Sequence, residues 1–192
     1  MFYYTIVPDC KPFLEIIFWV KDLKLSFKES YFLALNRMQQ KIIIEAKTWL
    51  GTQFHHQGRV KIYATHNGGC NCIGLVIGVA TALNLQSKTG ASLADYDSHN
   101  YSNIPEGDNL RHQLSQHLLE KGNNITNAQT GDVVLFSFAK NPQHIAIIDR
   151  QTDELFIIHA YSVVGKVCYH RLDNKWQQRL VQIYSFREFC DR

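Results

Sequence analysis

The stretch that decides the fold runs from Gln143 to Tyr161 and reads Gln-His-Ile-Ala-Ile-Ile-Asp-Arg-Gln-Thr-Asp-Glu-Leu-Phe-Ile-Ile-His-Ala-Tyr. Within it, two apolar runs rich in β-branched residues, His144–Ile148 and Leu155–His159, flank a polar segment. Apolar runs of this length around a short polar connection are typical of a β-hairpin. In both runs the residues that point to one face and those that point to the other face are apolar. This pattern predicts strands buried on both faces.

The register of this hairpin predicts a pair of histidines. If Ile148 and Leu155 close the hairpin around Asp149–Glu154, His144 lies directly opposite His159. Directly opposed residues point to the same face of a sheet, within reach of each other's side chains. The prediction depends on the register, because a slip of one residue would turn one ring to the other face.

The regions around the hairpin predict helices first and strands afterwards. Gln39–Leu50, Cys72 to about Leu85, and roughly Asp108–Lys121 have helical spacing of apolar residues, with Gly122 as the C′ residue of the third helix. Further strand patterns lie at Asp132–Phe138, Val163–His170 and Leu180–Phe186. This order predicts an α+β fold with N-terminal helices packed on a central antiparallel sheet. We expect one domain over residues 38–192, preceded by an appendage over residues 1–37 whose role the sequence does not indicate.

Composition indicates an ordinary globular protein. Of the 192 residues, 45% are hydrophobic and 19% are charged, and the net charge is +3. This charge is too small to argue for nucleic acid as a partner, and the sequence contains no Lys/Arg run. The five cysteines are odd in number and scattered, which favours free thiols in a reducing compartment over a disulfide framework.

The N-terminal apolar segment over residues 13–20 is interrupted by Glu15 and is far shorter than a membrane span. It also lacks the basic start and small-residue cleavage site of a signal peptide. We therefore expect synthesis in the cytoplasm without a signal peptide, and no stable insertion into a membrane.

Cys72 is the candidate nucleophile. It follows a Gly-Gly-Cys-Asn loop and opens the apolar segment Cys72–Ala80, so it is expected at the first turn of a buried helix. Backbone N–H groups and the helix dipole stabilise a thiolate at that place. Together with the pair His144 and His159, this position predicts a thiol hydrolase.

Two other interpretations of these residues stay open. A cysteine in an apolar helix is usually a small buried hydrophobe, and a strand histidine is usually structural. The pair Cys70 and Cys72 could also bind a metal with His55, His56 and His66. Zinc sites favour ligand pairs spaced as C-x₂₋₄-C, however, so we predict no metal and no cofactor.

Several ordered blocks resemble the NlpC-type cell-wall cysteine peptidases, and most of all their phage branch. The similarity covers about residues 39–188, and its blocks are Ala46–Gly58, Cys70–Leu75, Gly131–Phe136, Gln143–Ile148 and Ile158–Tyr161. It implies a papain-like NlpC-type fold. It further implies hydrolysis of an amide in the stem peptide of peptidoglycan, typically between D-glutamate and the diamino acid.

The resemblance also implies residue roles and partners. Cys72 would be the nucleophile, His144 the base and His159 the third polar residue, while Phe54, His55 and Asn71 would lie on the substrate side. The partners would be peptidoglycan stem peptides and phage tail proteins, and a phage-like particle would deliver the protein to the cell wall.

Two positions depart from the family pattern. Asn71 stands where the family usually has aspartate, and Phe54 stands where it usually has tyrosine. Two competing functions follow: a structural tail component that keeps the fold with weak or no activity, and a thiol amidase or acyltransferase with another substrate.

Overall fold

The computed structural model describes residues 37–97, 107–138 and 141–187 in full, and backbone elements within residues 18–36. The chain divides into two compact units, Met1–Arg37 and Met38–Arg192. The first unit contains a short antiparallel pair, β1 (Phe18–Val20) and β2 (Leu23–Leu25). The rest of the predicted appendage, together with Cys10 and Cys190, lies outside the described residues.

The described residues contain four α-helices, α1 (Phe27–Lys47), α2 (Cys72–Leu83), α3 (Asn109–His117) and α4 (Asn174–Gln177), and two short 3₁₀ helices, Leu93–Tyr96 and Ile125–Asn127. Helix α1 begins well before the predicted start at Gln39, because no glycine or proline interrupts the chain from Phe27 to Leu50. None of the helices in the described residues is long and apolar enough to cross a membrane.

Helix α3 is shorter than its apolar spacing predicts. It ends at His117, and Leu118 is already extended, with φ −112° and ψ 165°. The next residues form a strand, β5 (Leu119–Glu120), that pairs with the last described strand along the chain, Leu180–Ser185. Sheet pairing therefore ends the helix, and the prediction of Gly122 as its C′ residue is wrong.

The remaining strands form two sheets. Their bounds are β3 (Arg59–Val60), β4 (Gly69–Cys70), β6 (Val133–Phe138), β7 (Asn141–Gln151), β8 (Glu154–Tyr161), β9 (Lys166–Arg171) and β10 (Leu180–Ser185). The larger sheet has six antiparallel strands in the order β5-β10-β6-β7-β8-β9, and β3 pairs with β4. The predicted α+β fold, with helices ahead of an antiparallel sheet, is confirmed.

The hairpin between β7 and β8 has a different register from the predicted one. Ile148 pairs with Ile157, and Gln151 pairs with Glu154, so the loop is only two residues long. The predicted pairing of Ile148 with Leu155 is wrong by two residues. Side chains alternate with a period of two along a strand, and a shift of two therefore leaves every side chain on its predicted face.

Both faces of the central strands are buried. On one face, a cluster of residues that are at most 8% exposed packs around Trp176, and its members include Val134, Phe136, Ala146, Ile148 and Ile157. On the alternate positions, Ile145, Ile147 and Ile158 are at most 2% exposed. Burial of each such side chain stabilises the fold by about 1.5–3 kcal/mol, which makes these strands a rigid support for the groups they carry.

Candidate active site

The N-terminus of α2 places Cys72 at the first helical position, as the sequence predicts. Asn71 is the N-cap, with extended backbone at φ −108° and ψ −174°. Its side-chain oxygen accepts a hydrogen bond of 2.8 Å from the N–H of Gly74. A capping asparagine satisfies one of the free N–H groups of the first turn, so Asn71 fixes where the helix, and therefore the thiol, begins.

Glycines bring the neighbouring loop against this first turn. A Cβ added to Gly74 would collide with the carbonyl oxygen of Gly58, and one added to Gly58 would collide with the carbonyl of Gly69. These contacts are possible only because glycine has no side chain. The close approach holds the β3–β4 hairpin beside Cys72.

Arg59 supplies a positive charge next to the helix start. Its guanidinium pairs with Asp97, with Nη2 2.8 Å from Oδ1, and both groups are largely buried. Its Nη1 also donates to Asn71 Oδ1 at 3.2 Å. The N-cap oxygen therefore accepts from Gly74 and from Arg59 at once.

The thiol of Cys72 is buried, with the residue 9% exposed. Burial raises the pKa of this thiol above its ordinary value, and the backbone N–H of Ile145 and the N–H groups of Ile73 and Cys72 only partly oppose that rise. The helix start does favour the thiolate, as predicted, but desolvation is the larger effect. Cys72 is therefore a neutral thiol in the free protein. It lies against the backbone N–H of Ile145.

The structure brings His144 and His159 together. Nε2 of His144 lies 2.6 Å from Nδ1 of His159, and the ring centroids are 4.9 Å apart at an interplanar angle of 67°. With the observed register, the two residues are diagonal rather than directly opposed across β7 and β8. Diagonal neighbours on one face are still within reach of aromatic side chains, which explains why the predicted contact forms in a different register.

Burial keeps both rings neutral. His144 is 7% exposed and His159 is 0% exposed. Desolvation, followed by the charge of nearby histidines, lowers the pKa of His144 to about 3 and the pKa of His159 to about 2. Neither ring is a resting cation at neutral pH, so the site holds no preformed thiolate–imidazolium pair.

A third histidine, His170 on β9, extends the pair. Its Nε2 lies 2.9 Å from Nε2 of His159, and its Nδ1 lies 2.8 Å from the carbonyl oxygen of Arg171. His170 is a site residue that the sequence pattern did not predict. The β8–β9 register could have found it, because His170 pairs with Ile157 and so shares a face with His159.

A cleft of about 1100 Å³ opens at this site, and Cys72 and His144 both line it. Phe54 and Asn71, predicted on the substrate side, line it as well. His55 is exposed, whereas its neighbour His56 lines the cleft. The cleft thus combines the thiol, the imidazole of His144 and two of the three residues predicted to contact substrate.

One group in the described residues has the composition of a metal site: His159, Cys168 and His170. A tetrahedral zinc ion with Zn–N bonds of 2.0–2.1 Å would hold two ligand nitrogens about 3.3 Å apart. The 2.9 Å between the ring nitrogens of His159 and His170 is instead the distance of a hydrogen bond. We therefore treat these rings as a hydrogen-bonded chain.

Neither a protein-family model nor a curated protein sequence matches the chain. Solved structures do match. The chain is similar to an NlpC/P60 family protein from Bacillus cereus, with 15% identity and a TM-score of 0.46 over 77% of this chain and 40% of that one. The likeness is one of fold. A similar match is an N-acetylmuramoyl-L-alanine amidase from Bacteroides uniformis, with 12% identity and a TM-score of 0.47 over 78% of this chain and 99% of that one. The chain thus spans less than half the length of the Bacillus protein.

Proposed function

We propose that the protein is a cysteine hydrolase that cleaves an amide in the stem peptide of peptidoglycan. The observation that carries the proposal is the hydrogen bond between His144 and His159 in the wall of the cleft that Cys72 lines. A cysteine nucleophile needs a base beside it and a third group that orients that base. The hydrogen bond between His144 and His159, and the cleft that Cys72 and His144 share, support this assignment of roles.

The resting charges determine how the nucleophile is activated. Since Cys72 and His144 are both neutral in the free protein, the proton leaves the thiol during attack, with His144 as general base. Nε2 of His144 is engaged by His159, which leaves Nδ1 to accept this proton. His144 then returns the proton to the leaving amine, and water hydrolyses the acyl-enzyme at Cys72.

The first turn of α2 provides the group that stabilises negative charge in the transition state. The backbone N–H groups at the start of a helix have no intrahelical partner, and the one at Cys72 is beside the reacting sulfur. An N–H aimed at a developing oxyanion contributes about 2.7–4 kcal/mol to catalysis in other hydrolases. We assign the oxyanion to the N–H of Cys72.

The choice of peptidoglycan as substrate, and of the bond between D-glutamate and the diamino acid, is supported by the ordered sequence blocks that resemble cell-wall peptidases. The delivery of the protein by a phage or prophage particle, with tail proteins as partners, is supported by the resemblance to the phage branch. Detection of the chain in purified particles by mass spectrometry tests the delivery. Secreted enzyme from cells that make no particles would argue against it.

The first experiment is digestion of purified peptidoglycan, with released fragments identified by mass spectrometry. Wild type is compared with Cys72→Ala, and Cys70→Ala is the matched control because Cys70 is a buried thiol two residues away. We expect wild type and Cys70→Ala to release stem-peptide fragments and Cys72→Ala to release none. The new termini of the fragments identify the bond.

The same experiment separates the competing functions. Fragments that contain intact stem peptides cut from the sugar would indicate an amidase of different bond specificity. No release by any variant, from walls of several chemotypes, would overturn the proposal and favour a structural tail component. Release from lipid or protein amides in place of peptidoglycan would identify a different thiol amidase or acyltransferase.

A further inference from the structure

Three histidine rings form a continuous chain across β7, β8 and β9. The hydrogen bonds are 2.6 Å from His144 to His159 and 2.9 Å from His159 to His170, and the last nitrogen of the chain lies 2.8 Å from the carbonyl of Arg171. The proposed function uses only the first two rings. His170 is hydrogen-bonded to this pair but has no role in that mechanism.

The hydrogen-bonded chain of rings ends at the carbonyl of Arg171, which can only accept a hydrogen bond. This end group fixes the position of every hydrogen in the chain of rings. Because the carbonyl of Arg171 accepts, Nδ1 of His170 carries a hydrogen. When His170 is neutral, its Nε2 therefore accepts, and Nε2 of His159 donates to it. Nδ1 of His159 must then accept from Nε2 of His144. The remaining nitrogen, Nδ1 of His144, is left with a free lone pair.

A side chain at position 170 that can only donate would reverse the chain of rings. Nε2 of His159 would then accept, and the hydrogen of that ring would lie on Nδ1. That hydrogen would be donated to Nε2 of His144, whose own hydrogen would lie on Nδ1. The free lone pair of His144 would then be absent.

We propose that His170 is a positioning residue that sets the tautomer of His144 through His159. This inference rests on the proposed role of His144 as the base. His170 is suited to the role because its Nδ1 is held by the carbonyl of Arg171, which leaves only its Nε2 to accept from His159.

The surroundings of His170 hold the ring in place. Trp176 packs against all three rings, with centroid distances of 5.9 Å to His144, 4.9 Å to His159 and 5.5 Å to His170. The titratable and charged groups near the three rings in the described residues include Cys168 on β9, Tyr161, whose ring centroid lies 5.2 Å from that of His159, and Arg179, whose guanidinium carbon lies 5.6 Å from the ring centroid of Trp176. Among the described residues, His170 makes its hydrogen bonds to a ring nitrogen and a carbonyl, and to no carboxylate.

The test compares His170→Gln with His170→Lys. The glutamine amide can donate to the carbonyl of Arg171 and accept from His159, so it keeps the hydrogen-bond arrangement of the wild-type ring. The lysine ammonium can only donate, so it imposes the reversed arrangement at every pH. Nitrogen-15 NMR of histidine-labelled protein reports which ring nitrogen of His144 carries the hydrogen, and this readout needs no hydrolysis.

In wild type and in His170→Gln we expect the hydrogen of His144 on Nε2 at pH 8, and in His170→Lys we expect it on Nδ1. Where stem-peptide release is measured at pH 8, His170→Lys is at least tenfold slower than His170→Gln.

An identical His144 tautomer in all three proteins would overturn the inference. If His170→Lys does not fold, His170→Phe decides it, because its ring offers no acceptor to His159 and the hydrogen of His144 should no longer be confined to Nε2. Failure of the proposed function is distinguishable, because then the tautomers follow His170 while no variant releases stem peptides.

Discussion

Nε2 of His144 and Nδ1 of His159 are 2.6 Å apart, and the second ring is completely shielded from solvent. A hydrogen bond between two neutral buried rings fixes both their orientation and their protonation. His159 can therefore act on chemistry at the cleft without touching it, by determining which nitrogen of His144 is free.

Replacement of His159 should separate the effect of its ring nitrogens on catalysis from the effect of its aromatic ring on packing. His159→Phe keeps an aromatic ring against Tyr161 and Trp176, whose centroids lie 5.2 Å and 4.9 Å from that of His159. It removes the nitrogen that accepts from His144, so we expect kcat to fall by about 10²–10⁴ with little change in KM. His159→Gln retains an acceptor and should lose less. Equal activity of His159→Phe and wild type in stem-peptide release would contradict the assignment.

The buried histidines should make the fold sensitive to acid. Their pKa values fall from the ordinary 6.5 to about 3 for His144 and about 2 for His159, so the unfolded chain binds protons that the native chain does not. The stability is therefore present above pH 6.5 and is lost as pH falls toward 3. At pH 5 the loss is about 2 kcal/mol for each ring relative to pH 8.

Urea unfolding between pH 8 and pH 4 measures this loss. We expect His159→Gln to show a shallower fall of the unfolding free energy than wild type, by about 1.4 kcal/mol per pH unit below pH 6, because one proton fewer is taken up on unfolding. Parallel curves for the two proteins would show that His159 is charged in the native state.

The reactivity of Cys72 should rise with pH. Burial raises the pKa of its thiol, and alkylation follows the thiolate fraction, so the rate with iodoacetamide should increase about tenfold per pH unit from pH 6 to pH 8. The modified peptide identifies Cys72 among the other thiols. The contrary result is a rate that does not change over this range, since that is the behaviour of a preformed thiolate–imidazolium pair.

The sequence predicted most of the fold because the decisive patterns are local. The start of α2 at Cys72 follows from a polar capping residue ahead of an apolar run, and the strands follow from their alternation. A shift of two residues along a strand leaves each side chain on the same face of the sheet. The error in register therefore does not affect the prediction that the two histidines share a face. The turn was the weak point, because a two-residue loop with Thr152 at φ 52° has no glycine to mark it.

The parts of the site that the sequence did not predict depend on contacts between distant segments. His170 joins the chain through the pairing of β8 with β9, and Arg59 reaches Asn71 through the β3–β4 hairpin. No local pattern signals either contact. The sequence pattern also did not predict that burial would outweigh the helix start at the Cys72 thiol. The same apolar surroundings that make α2 a core helix raise the pKa of Cys72.

We expect Asn71 to act mainly as the N-cap of α2 and only secondarily as a substrate contact. Its side chain accepts from Gly74 N–H at 2.8 Å and from Arg59 Nη1 at 3.2 Å. Removal of an asparagine cap costs about 1 kcal/mol, so Asn71→Ala should lower the free energy of unfolding by about that amount. Asn71→Asp keeps the cap and places a carboxylate beside Arg59 and the helix N-terminus, so its stability should equal or exceed that of wild type.

The same aspartate should oppose ionisation of the adjacent thiol. A carboxylate at residue 71 disfavours the thiolate of Cys72, so the alkylation profile of Asn71→Asp should move to higher pH, while that of Asn71→Ala should not. The carboxylate also restores the charge that suits a substrate with a free amine, and we expect Asn71→Asp to favour stem peptides whose amine is free. A profile that moves to lower pH in Asn71→Asp would mean that Arg59 and the helix start, rather than the new charge, control the ionisation of Cys72.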